Sequence, residues 1–242
     1  MDLQVVGDYR EMSELGAKIV SETIQEKKNA VLGLATGSTP EGMYARLVEK
    51  YRRGDLDFKS VVTFNLDEYV GLAPDHPQSY HYYMKRNLFD HVNLDPVNIS
   101  IPTSSSDETL EEACRQFDKK IEHAGGIDLQ VLGIGVNGHI GFNEPAPYLK
   151  TATHLVELAE ETIEANSRFF QSKEEVPRKA VTMGLGSIMA ADKILLLANG
   201  KNKAPAVRDS FSGLVSTETP ASLLQLHRKV TIVIDREAAS LL

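Results

Sequence analysis

Short apolar runs, each ended by a polar or glycine-containing turn, alternate with segments of helical periodicity along the chain. Ala30-Val-Leu-Gly-Leu-Ala, Ser60-Val-Val-Thr-Phe-Asn-Leu, Ile127-Asp-Leu-Gln-Val-Leu, Lys193-Ile-Leu-Leu-Leu-Ala and Val230-Thr-Ile-Val-Ile are such runs. Continuously apolar runs are what strands covered on both faces require. Between them, Met12, Leu15, Ile19 and Ile24 share one helical face, and Leu110, Cys114, Phe117 and Ile121 share another in a helix expected over residues 107–122. Asp8 followed by Glu11 has the form of a capping box for the first helix, expected to reach about Lys28. Asn98-Ile-Ser-Ile-Pro, Thr153-His-Leu-Val-Glu-Leu and Lys179-Ala-Val-Thr-Met read as further strands, and residues 160–170 and 220–226 as helices. This alternation predicts an α/β fold with a right-handed, mainly parallel sheet and helices on both faces.

A chain of 242 residues is long enough for one large domain or two small ones. No run of Gly, Ser, Pro or like charge is long enough to be a linker, so a single domain over 1–242 is expected. The net charge of -8 argues against nonspecific binding of nucleic acid. An anionic small substrate stays possible where a few local cations outweigh the global field. The N-terminus lacks the basic and apolar regions of a signal peptide, and no apolar run approaches the roughly 20 residues needed to cross a bilayer. A cytoplasmic protein without membrane partners is expected. Cys114, the one cysteine, cannot form an internal disulfide and is expected only to pack.

The apolar run at 127–132 leads into Leu132-Gly-Ile-Gly-Val-Asn-Gly-His-Ile-Gly-Phe-Asn-Glu-Pro145. Glycines let a backbone approach a ligand closely, and ligands of open α/β sheets bind at the carboxyl ends of strands. Gly133, Gly135 and Gly138 formally match a dinucleotide fingerprint, with Glu157 about 20 positions on. The third glycine should open a helix, however, and here Gly141, Pro145 and Pro147 follow. His139 and Glu144 do not complete a metal set, because no second His or Cys lies close in sequence. General acid–base chemistry remains, with the imidazole moving protons and a carboxylate orienting it.

Three other places invite a ligand. Thr36-Gly-Ser-Thr-Pro40 joins a strand to a helix; Thr39 is expected to cap that helix, leaving the N–H groups of Gly37, Ser38 and Thr39 for an anion such as phosphate. The same pattern also suits a plain strand-to-helix turn. Asp67-Glu68 crowds two carboxylates at a strand exit, so either one is solvated or the pair holds a proton-transfer group. Lys201 and Lys203 fall in the expected first turn of a helix, where cations are unfavourable unless they face an anion. Lys203 and Arg168 are therefore candidate ligand contacts, with solvated surface charge as the alternative. The aromatic Tyr80-His-Tyr-Tyr is read as the start of a helix rather than a binding cage.

Val62-Thr-Phe-Asn-Leu-Asp-Glu-Tyr-Val-Gly-Leu, the 132–145 loop, Ala165-Asn-Ser-Arg-Phe-Phe and Leu224-Gln-Leu-His together resemble the glucosamine-6-phosphate deaminase family over nearly the whole chain. The resemblance implies a modified Rossmann-like fold and conversion of glucosamine 6-phosphate and water to fructose 6-phosphate and ammonia, with no cofactor or metal. It assigns Asp67 as proton carrier between carbons 2 and 1, and His139 to ring opening with support from Asn137 and Glu144. Thr36, Gly37, Ser38, Thr39, Arg168 and Lys203 match the phosphate pocket. Many members carry Asp where Asn137 stands. At positions that bind an allosteric activator, N-acetylglucosamine 6-phosphate, in other members, this chain has Pro147, Tyr148, His154 and Val156. No such activation is expected, and a monomer or small homo-oligomer rather than a hexamer. A 6-phosphogluconolactonase and a non-catalytic sugar-phosphate sensor are the competing readings.

Overall fold

The apolar runs find their burial in a twisted sheet at the centre of the chain. A computed structural model describes residues 1–102 and 109–242. In chain order the elements are β1 (Asp2–Val6), α1 (Tyr9–Glu26), β2 (Val31–Leu34), α2 (Glu41–Arg52), β3 (Val62–Asn65), β4 (Asp67–Tyr69), α3 (Tyr80–Asn87), β5 (Ile99–Ser100), α4 (Leu110–His123) and β6 (Leu129–Leu132). There follow β7 (His154–Glu157), α5 (Glu160–Ser167), β8 (Lys179–Thr182), α6 (Leu185–Ala190), β9 (Lys193–Ala198), α7 (Ala204–Ser210) and β10 (Val230–Asp235).

Seven strands form a parallel sheet in the order β1-β10-β9-β6-β2-β3-β5. Crossover helices cover it, as parallel connections demand. Leu32, Leu129, Val131, Leu195, Leu196, Ile232 and Val233 are buried within it. Gly16 of α1 packs on Leu197 from one face, and Phe117 of α4 meets Phe64 edge-on from the other, with ring centroids 5.7 Å apart. This is the Rossmann-like architecture expected, a mixed α/β fold around a mostly parallel sheet. No helix among the described residues is long and apolar enough to cross a membrane.

Several expectations are corrected. The run at 60–66 does not carry straight into Asp67: β3 ends at Asn65, and β4 belongs to a second, antiparallel sheet in the order β4-β8-β7. Two other expected strands, β7 and β8, also belong there. Strand β1 and helix α6 were not anticipated; β1 is an edge strand with Leu3 and Val5 exposed, so it lacks the apolar signature of the central strands. Residues 220–226 form a 3₁₀ helix. Asp107 and Glu108 lie outside the described residues, and Thr109 caps α4 by accepting from Glu112 N–H. Asp8 caps α1 as expected, but Glu11 reaches back to Gly7 N–H, and the helix ends at Glu26. Cys114 is buried in α4.

Candidate active site

A cavity of about 550 Å³ opens at the carboxyl ends of the parallel strands, where the turns after β2, β6 and β9 meet β4 and α5. Thr36, Gly37, Ser38, Thr39, Asp67, His139, Arg168 and Lys203 all line it. Residues far apart in sequence thus share one space.

On the anion-binding side, the hydroxyls of Tyr83 and Tyr9 donate to the carbonyls of Gly37 (2.7 Å) and Ser38 (3.0 Å) and fix the turn before α2. Thr39 does not cap α2: its hydroxyl donates to Asn199 Oδ1 at 3.0 Å, and Pro40 occupies the cap without a side-chain bond. The turn is thereby tied to the loop after β9. Lys203 is the last residue of a 3₁₀ turn over Lys201–Lys203 and the N-cap of α7. Its ammonium donates to Ile134 O at 2.7 Å, and burial, with Arg168 nearby, lowers its pKa to about 8. Lys201 is exposed and does not line the cavity. Arg168, at the C-cap of α5, donates to Ser38 Oγ at 3.2 Å. Two cations at one rim of a polar turn make a ready site for a dianion.

Across the cavity lies Asp67. Neighbouring residues of a strand face opposite ways, and β4 uses this to separate its carboxylates. Glu68 turns to the N-terminus of α3, accepting from the N–H groups of Tyr69 (2.8 Å), Tyr80 (2.9 Å) and His81 (3.0 Å), with His81 Nδ1 at 2.9 Å. Neither carboxylate is solvated: both side chains are buried. Burial first, and the charge of Glu68 second, pushes the Asp67 carboxyl up to about 8. The crowding expected from sequence is the smaller cause.

His139 sits between. Its Nδ1 lies 2.8 Å from Asn137 Oδ1 and 3.2 Å from Glu144 Oε2, while Asn137 Nδ2 donates to the same Glu144 oxygen at 2.8 Å. These acceptors hold the proton on Nδ1 and leave Nε2 as the basic nitrogen. Burial raises the Glu144 carboxyl, but bonds from His139, Thr162 and Asn137 outweigh it and bring the pKa down to about 2. The loop allows this packing because Gly135 lies under the imidazole, where a Cβ would fall 2.2 Å from Cε1. Gly141, at φ +57°, lets the loop press on Thr182 and Asp67. Buried Asn143 pins the loop by donating to Ile140 O and Met183 O. Gly138 opens no helix, contrary to the demand of a dinucleotide site.

The structure also brings in residues that sequence reasoning missed. Tyr80 begins α3 as expected yet lines the cavity, packed against Tyr69 and Phe142. From α5, Thr162 donates to Glu144 Oε1 and Asn166 donates to the Tyr69 hydroxyl at 2.9 Å. Their i, i+4 spacing on a helix leading to Arg168 was the available signal.

A buried acid, an oriented imidazole and a paired-cation turn at the end of a parallel sheet define an α/β enzyme-like site for acid–base chemistry on an anionic small molecule. Residues 9–233 match the family described as glucosamine-6-phosphate isomerases/6-phosphogluconolactonase, and the chain belongs to that family. It is 60% identical over 242 residues to a glucosamine-6-phosphate deaminase of Thermoanaerobacter sp. (strain X514), covering all of this chain and 95% of the relative. A solved structure of a monomeric glucosamine-6-phosphate deaminase superposes with a TM-score of 0.97 at 48% identity over the whole of both chains. The 6-phosphogluconolactonase of Trypanosoma brucei shares the fold at a TM-score of 0.78 and 18% identity, covering 99% of this chain and 97% of the other.

Proposed function

We infer that this chain converts glucosamine 6-phosphate and water to fructose 6-phosphate and ammonia. The relatives that match it end to end at 48% and 60% identity are deaminases of this kind. The observation that carries the assignment of roles is the buried carboxyl of Asp67 in the same cavity as His139 and the 36–39 turn.

In this reading the 6-phosphate sits on Thr36, Gly37, Ser38 and Thr39 between Arg168 and Lys203. Opening the sugar ring requires a proton to leave the C1 hydroxyl and one to reach the ring oxygen, and His139, oriented by Asn137 and Glu144, moves them. Asp67 then takes the proton from carbon 2 and returns it at carbon 1. The product is a ketose-level imine, whose carbon 2 is attacked by water to release ammonia. A carboxyl raised to about 8 is a stronger base than an ordinary carboxylate once ionised, which suits abstraction from carbon.

The enzyme acts in the cytoplasm, where sugar phosphates are retained, as a monomer or small oligomer without activation by N-acetylglucosamine 6-phosphate. Pro147, Tyr148, His154 and Val156 stand where the activator site would be.

Incubation with glucosamine 6-phosphate, following ammonia and fructose 6-phosphate together, tests the reading. Equal release of both is expected. Release of neither, with hydrolysis of 6-phosphogluconolactone instead, overturns it.

A further inference from the structure

Helix α5 is weakly anchored for an element that closes a cavity. Of its eight residues only Thr162 and Ile163 are buried, and Ala159 at its N-cap makes no side-chain bond. Ile163 packs in a small cluster with Tyr69, Phe142, Leu158, Val176 and Ala180, separate from the main core. The helix segment is otherwise held by polar ties: Thr162 to Glu144, Asn166 to the Tyr69 hydroxyl, Arg168 to Ser38, and Glu160 and Glu164 to the Lys173 ammonium.

Two of these ties end on opposite parts of the site. Arg168 reaches the anion-binding turn, and Thr162, six positions earlier, reaches the carboxylate that orients His139. Six residues of α-helix span about 9 Å, so one helical segment reaches both the 36–39 turn and the carboxylate beside His139. We propose that Thr162 is a positioning residue that couples capture of the phosphate at Arg168 to the alignment of the Glu144–His139 pair. Its hydroxyl occupies Glu144 Oε1 and leaves Oε2 to His139 and Asn137. With Oε1 unbonded, the carboxylate is held through Oε2 alone and orients His139 less firmly. A phosphate that holds Arg168 at the 36–39 turn therefore also holds Thr162 on Glu144. The proposal rests on the roles given above to His139 and Arg168.

The test compares Thr162→Val, which keeps the shape and removes the hydroxyl, with Thr162→Ser, which keeps the hydroxyl. Glucosamine 6-phosphate is the substrate, and His139→Gln is the reference. Loss of a buried hydrogen bond to a charged group predicts a fall in kcat of about 10-fold or more for the Val variant. KM should change less than about twofold, since the phosphate contacts are intact. The Ser variant should restore kcat. In the cycle with Arg168→Lys, the Val substitution should cost less than in the parent.

A Val variant with wild-type kcat, while His139→Gln is impaired, overturns the coupling and leaves the catalytic reading standing. Wild-type kcat in both would remove His139 from the chemistry and the coupling with it. A Ser variant as impaired as Val, or costs that simply multiply in the cycle, would also overturn the proposal.

Discussion

Asn137 donates from Nδ2 to Glu144 at 2.8 Å while its Oδ1 accepts from His139 Nδ1 at 2.8 Å, so one neutral amide links the imidazole to the carboxylate. Each end of the amide meets the group it suits, and the cluster carries one negative charge rather than two. Replacement by Asp would set two carboxylate oxygens against each other in a partly buried site. For Asn137→Asp we predict a lower denaturant midpoint at pH 7, because a second carboxylate then faces Glu144. An unchanged or higher midpoint would remove the amide from this linking role.

The same logic of burial makes Asp67 a liability for stability. Its carboxyl is held near 8 in the folded chain against about 3.9 in an unfolded one, so between these pH values the native state holds a proton that the unfolded state has lost. Stability therefore falls as pH rises from about 4 to about 8. Asp67→Asn should remove that slope and be on the order of a few kcal/mol more stable than the parent at pH 8, with little difference at pH 4. It should bind substrate yet lose kcat about 10²-fold or more. Denaturant melts at both pH values and steady-state rates check this; parallel melts at both pH values with near-normal turnover would refute it.

How far the sequence foretold this site follows from where each residue gets its partners. The central strands were legible because burial on both faces leaves a local, continuous apolar signature, and the 132–145 loop stood out through its glycines, which serve packing between close residues such as Gly135 and His139. The partners of Thr39 and Glu68 have no local signature: Asn199, which takes Thr39 from the expected cap, lies 160 positions away, and the N-terminus of α3 claims Glu68 from 12 and 13 positions away. Strand β4 has only three residues and pairs with β8 across more than a hundred positions, so nothing local announces it. Thr162 carries an ordinary residue type on a short helix, and only the fold reveals that it faces Glu144.

Two groups with pKa values near 8 should shape the rate profile from opposite sides. Asp67 must be ionised to act as a base, so kcat/KM should rise with pH through about 8, whereas Lys203 must be charged to hold phosphate, so kcat/KM should fall above about 8. The limbs overlap into a narrow bell. Bound phosphate raises the lysine pKa, so the alkaline limb of kcat should lie higher than that of kcat/KM. Lys203→Arg, which stays charged, should flatten the alkaline limb of kcat/KM while leaving the acid limb in place. An alkaline limb that persists unchanged in this variant would exclude Lys203 as its source.

Glycine spacing in the loop gives a final, sharper test of geometry. Gly133 and Gly135 both lie outside the left-handed region, so alanine is allowed at either by the backbone. They differ in surroundings: a Cβ on Gly133 meets nothing within 4 Å, whereas one on Gly135 falls 2.2 Å from Cε1 of His139 and 2.3 Å from its Nδ1. Gly135→Ala must therefore push the imidazole away from Asn137 and Glu144, while Gly133→Ala leaves it in place. Misplacing a catalytic group by about 1 Å costs roughly 10²-fold in rate, which is the loss in kcat expected for Gly135→Ala; Gly133→Ala, whose methyl faces the open cavity, should keep kcat within about tenfold of the parent and act mainly on KM. KM should move little in the first variant, because the phosphate contacts lie on other loops. If the two alanine variants turn over glucosamine 6-phosphate equally fast, the position of His139 over Gly135 is not what the reaction depends on.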